Sequence, residues 1–247
     1  MEVEELIKNS LIELRKIVCE NPKENDNETK EQDSRLIFPK YRTTEKKRIS
    51  EEEARFLFVR ELENQKKNHR YYYSIETPTK RPYKKFTTDN PEIEGERSRS
   101  GCIDVTLYEK EENGNFCRKH LIEFKFDNVG TCKKDFLKLL CDDNQCETNY
   151  YVNILENCDN YTINGEENGL KKKFEKSIQY IFEKSQNDDN YQICSNLNLR
   201  IFVFIRGNND DERLKPYNFV EYGYEINSNN EVIIKEIKKE IIKQENQ

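Results

Sequence analysis

Two acids and a lysine in the middle of the chain have the types and the spacing to do chemistry. Asp104 sits in the apolar-rich run Cys102–Tyr108, and Glu123 and Lys125 in the run His120–Phe126. Carboxylates held side by side in a half-dry setting repel one another unless a cation intervenes. Hard divalent ions such as Mg²⁺ favour oxygen donors of this kind. A lysine beside them can orient an attacking water and offset negative charge as it develops. Each residue also has a plainer reading. Asp104 could end a strand, and Glu123 and Lys125 could form ion pairs on a solvated sheet face.

What brings the three together is the segment between the runs, which contains Asn113-Gly114. Asn-Gly between alternating runs is a strong β-hairpin signal, because both residues of a two-residue turn must accept positive φ. A two-residue turn there puts Asp104 directly across from Glu123. Period-two alternation adds Lys125 to the same face.

At these residues the chain resembles the PD-(D/E)XK nuclease superfamily, through Asp104 on one strand and Glu123-Phe124-Lys125 on the next. The likeness is one of motif and spans residues 49–158. It departs from the pattern in having Ile103 where the family often has proline. The resemblance implies a restriction-endonuclease-like α/β fold, with a mixed central sheet flanked by helices. It also implies a Mg²⁺ or Mn²⁺ ion on Asp104, Glu123 and the backbone carbonyl of Phe124. The activity implied is metal-dependent hydrolysis of phosphodiester bonds, in DNA ahead of RNA. The family often adds an acid from the preceding helix, and Glu53 fits that place. Glu53 has a structural role too, since Ser50-Glu51-Glu52-Glu53 is a capping-box sequence.

Other segments supply the frame and the charge. Residues 1–34 read as an amphipathic helix and a polar linker, with Val3, Leu6, Ile7, Leu11, Leu14 and Ile17 on one side. That stripe either packs on the domain or serves a homodimer or protein partner. Residues 35–247 read as one domain, with a helix near 50–65, strands near 70–77, 150–155, 199–205 and 217–226, and helices near 131–140 and 169–185. Leu199–Ile205 is expected to be central and Tyr217–Ile226 an edge strand. The tail is expected to begin as a strand and pass into a helix. Lys84, Lys85, Arg97 and Arg99 in the long connection before Asp104, and Lys133 and Lys134 on the helix after Lys125, suit phosphate contacts. Lys133, Lys134 and Lys138 give that helix a basic face, which could meet phosphate or simply be solvated.

Charged residues make up 36% of the chain and the net charge is −6, which argues against a protein that coats nucleic acid electrostatically. The eight cysteines include no Cys-x-x-Cys, and only two histidines are present, so zinc-site spacing is missing. His120 reads as a strand or core histidine. The absence of a leader-like start and of a long apolar stretch leads us to expect a cytoplasmic protein without a membrane partner. The competing reading is a nuclease-like binding module that acts as a subunit of a larger complex without catalysis.

Overall fold

The alternating runs around Asp104 and Glu123 do form the expected antiparallel hairpin, and the sheet is built outward from it. The computed structural model describes residues 2–19, 36, 38, 43, 49–65, 70–84, 92–93, 99–127, 132–142, 146–156, 162–163, 165–193, 197–205 and 219–240. The chain divides into two compact units, Met1–His69 with Ile242–Gln247, and Arg70–Ile241.

The first unit contains α1 (Val3–Cys19) and α2 (Glu51–Asn64). The apolar stripe of α1 is buried at Leu6, Ile7, Leu11 and Leu14. The two helices are tied by Arg60 to Glu13 at 2.9 Å. Ser50 caps α2 through the capping box that the sequence predicts. By contacts, α2 groups with α1 and not with the sheet.

The second unit is α/β. Its eight strands are β1 (Tyr71–Lys84), β2 (Glu92–Ile93), β3 (Arg99–Lys110), β4 (Phe116–Phe126), β5 (Thr148–Leu155), β6 (Asn198–Ile205), β7 (Phe219–Ile226) and β8 (Val232–Glu240). They form one mixed sheet in the order β2-β1-β3-β4-β5-β6-β7-β8. β4, β5 and β6 run parallel. Helix α3 (Cys132–Cys141) makes the crossover from β4 to β5, and α4 (Leu170–Ser185) the one from β5 to β6. Both helices pack with Leu121, Tyr151, Ile201 and Val203 in one core. The opposite sheet face carries Val105, Ile122, Phe124, Val152 and Phe202, also buried.

Two strand expectations are corrected, and a third is met as far as the described residues reach. β1 does not end at Pro78 but runs on through Pro82 with a register irregularity between them. Beside these prolines no strand among the described residues pairs with the outer edge of β1, since β2 joins at Tyr83 and Lys84, and an edge tolerates a missing N–H. β7 is not an edge strand, because β8 pairs along its whole length. The tail is still strand at Glu240, and the helix expected beyond it lies outside the described residues.

The hairpin turn is also different from the two-residue form. Gly114 N–H donates to the Glu111 carbonyl at 2.9 Å, and Glu111 N–H to the Asn115 carbonyl at 2.8 Å. Gly114 takes a positive φ of 85°, whereas Asn113 does not. This longer turn shifts the pairing by one residue, giving Lys110↔Phe116 and Tyr108↔Arg118. A bulge at Lys119 then shifts it back, so that Leu107↔His120 and Val105↔Ile122 follow the pairing expected from the sequence. Gly114→Ala should cost about 1–2 kcal/mol by conformation alone, because no atom lies within 4 Å of a Cβ placed there. Urea unfolding of the variant measures this, and no change in midpoint would refute it.

Candidate functional site

β3 and β4 stop pairing just where the acids lie. The last paired residues are Val105 and Ile122, and Asp104 and Glu123 come next. In place of a ladder bond, Asp104 Oδ2 accepts the Phe124 N–H at 2.7 Å. A strand residue directs its N–H and C=O to the same side, so the Phe124 carbonyl also faces Asp104. Glu123 and Lys125 lie on the sheet face covered by α3, Glu123 buried and Lys125 half-buried. The structure therefore brings Asp104, Glu123, the Phe124 backbone and Lys125 together on adjacent strands.

A cation in contact with Glu123 is one that the sequence places on a basic outer face. Lys138 of α3 points inward and is 5% exposed. Its ammonium lies 2.5 Å from Glu123 Oε1, 3.3 Å from Asp135 Oδ1 and 3.0 Å from the Cys102 carbonyl. The one signal for this in the sequence is an acid and a lysine three apart inside the apolar helix CKKDFLKLLC, a spacing that pairs them on one helix face. Burial drives the Glu123 carboxyl well above its ordinary value, against the Lys138 ammonium, which pulls it down, while Asp104 and Asp135 push it further up. Burial pulls Lys138 down, but the carboxylates of Glu123 and Asp135 outweigh it and hold the ammonium above its usual range.

The remaining candidates are scattered. Glu53 belongs to the helical unit, where its carboxylate accepts from the Ser50 backbone N–H at 2.7 Å. Lys133 lies 4.4 Å from the centre of the Tyr180 ring, and Lys134 is half-exposed. The backbones of Lys84 and Arg99 lie at strand ends, paired with Glu92 and Tyr83. Lys85 and Arg97 lie outside the described residues. His120 is a core histidine whose Nδ1 contacts the Thr148 carbonyl at 2.7 Å and whose Nε2 contacts the Tyr71 hydroxyl at 3.1 Å. The cysteines at 132, 141 and 146 are buried thiols, and burial pushes Cys132 up to about 11.

No protein-family model, curated protein or solved structure matches this chain. The chemistry therefore rests on the site alone. Among the described residues no three His, Cys, Asp or Glu side chains gather as a metal-binding group. The donors that do gather are two carboxylates and strand backbone, an all-oxygen set that suits a hard ion retaining several waters. No helix among the described residues is long and apolar enough to cross a membrane.

Asn153, on β5 beside Lys125, was not anticipated. It is fully buried, and its Nδ2 donates to the Lys125 carbonyl at 3.4 Å. Among the described residues its Oδ1 has no hydrogen-bond partner. An acceptor buried in that state costs about 1–3 kcal/mol.

Proposed function

We propose that this protein is a metal-dependent nuclease of the PD-(D/E)XK type, hydrolysing phosphodiester bonds in DNA ahead of RNA. The observation that carries the reading is the meeting of Asp104, Glu123 and Lys125 where β3 and β4 part. The β1-β3-β4 meander, followed by α3 and the parallel strand β5, supports a restriction-endonuclease-like core. Asp104, Glu123 and the Phe124 carbonyl would hold Mg²⁺ or Mn²⁺. Such an ion polarises a phosphoryl oxygen and acidifies a bound water. Lys125 orients the attacking water and offsets charge building on the phosphate. Lys138 opposes the burial that drives Glu123 toward its neutral form. The carboxylate of Asp104 is aimed by its bond from Phe124 N–H.

One observation favours a second reading, a binding module without catalysis. Lys138 already neutralises Glu123 at 2.5 Å, so the fold has an internal counter-charge for that acid. Cleavage of labelled single- and double-stranded DNA and RNA, with Mg²⁺, with Mn²⁺ and with EDTA, decides between the two. The nuclease reading expects cutting that EDTA abolishes. No cutting of any substrate, together with no calorimetric binding of either ion, leaves the binding module.

A further inference from the structure

The face of β5 that meets α3 carries two asparagines, and only one of them is fully used. Asn149 Oδ1 accepts the Leu121 N–H at 2.8 Å, and its Nδ2 donates to the Leu139 carbonyl at 2.6 Å. It replaces backbone bonds and explains itself. Asn153 lies four residues on, hence on the same face, and its Oδ1 has no hydrogen-bond partner among the described residues. Its neighbour on β6 is Val203, and an aliphatic side chain would fill the position without a stranded acceptor. A buried polar group kept in that state calls for a bound partner.

The partner must be a donor, and the register names it. Lys125 is the residue paired with Asn153 in the parallel β4-β5 ladder, so both side chains leave the same face side by side. Lysine has three N–H donors and no acceptor, and it can serve Asn153 while its other protons point elsewhere. We propose that Asn153 is a positioning residue for Lys125, its Oδ1 anchoring the Lys125 ammonium through one buried water. This deepens the nuclease reading and rests on it for its catalytic consequence. A lysine on a flexible four-carbon stem reaches many positions. A fixed acceptor on the neighbouring strand restricts it to those near Asp104 and Glu123.

The test is a double-mutant cycle of Asn153→Val and Lys125→Ala, read in two ways. In cleavage with Mg²⁺, Asn153→Val should lower kcat about 10- to 100-fold, as expected for misplacing a catalytic group, with KM little changed. In the Lys125→Ala background it should have no further effect. In urea unfolding, Asn153→Val should raise the midpoint more in the Lys125→Ala background than in the wild-type chain, because only the latter loses the anchored pair. A valine variant that cuts like wild type, or an equal loss in both backgrounds, overturns the proposal. If the wild-type chain cuts nothing, the nuclease reading has failed and the unfolding cycle alone decides: additive midpoints refute the anchor, and coupled midpoints retain it.

Discussion

Replacing Lys138 with methionine should destabilise the fold by about 3–5 kcal/mol, the usual consequence of taking one partner from a buried ion pair. The size follows from what stays behind. Glu123 and Asp135 are 3% exposed each, and both lose the ammonium that they share. Methionine retains most of the lysine stem, so little of the loss comes from a cavity. The deficit should also depend on pH in a defined sense. Burial already drives Glu123 upward, and removing Lys138 removes the attraction that opposes it. The folded variant then binds a proton at Glu123 that the unfolded chain releases above the ordinary value of 4.5. Stability of both chains therefore falls as pH rises above that value, and over a longer range in the variant, whose Glu123 is raised further. Urea midpoints of variant and wild type should lie closest below pH 4.5 and furthest apart near neutrality. Adding Glu123→Gln should recover part of the loss at neutral pH. A gap that does not change with pH would mean that Glu123 is not the stranded charge.

Asp104→Asn should do the opposite, leaving the fold intact and removing the activity. An asparagine oxygen can accept the Phe124 N–H where Asp104 Oδ2 accepts it at 2.7 Å, so the urea midpoint should move by less than about 0.5 kcal/mol. The neutral amide, however, is a weak ligand for a hard ion. Cleavage with Mg²⁺ should fall about 10²- to 10³-fold, the scale of losing one electrostatic contact in a water-excluded site. Lys125→Ala should give a loss of the same order. Retention of wild-type cleavage by the asparagine variant would remove Asp104 from the site. The contrast with Lys138→Met matters, since that variant loses stability whether or not the protein is an enzyme.

The hairpin and its partner strands were legible because alternation fixes a face. Val105, Leu107, Ile122 and Phe124 admit one register that buries them, and that register places Asp104 beside Glu123. β6 was legible as a central strand from its unbroken apolar run. The form of the turn was not, because Asn-Gly also suits a longer turn in which only glycine needs positive φ. β7 reads as an edge because its sequence shows nothing of what pairs beside it. The sequence reading also assumed unpaired acids, whereas Lys138 pairs with Glu123. A lysine on a short helix is read as solvated unless the packing of that helix is known, and nothing local to α3 reveals the packing. Asn153 was hidden for a related reason: its half-used amide becomes visible only once its neighbours across two strands are in place.

The two one-residue shifts in the β3-β4 hairpin, at the turn and at Lys119, act like dislocations of opposite sign that annihilate before the acids are reached. The phase of the strands at Asp104 and Glu123 is thus set by the core and is isolated from the loop. The tip at Glu112–Gly114 becomes a port into which a reporter peptide or fluorophore can be spliced without disturbing the alignment of the site. Deleting Lys119 would remove the bulge itself, so that Tyr108↔Arg118 is followed directly by Leu107↔His120 and the acids keep their alignment.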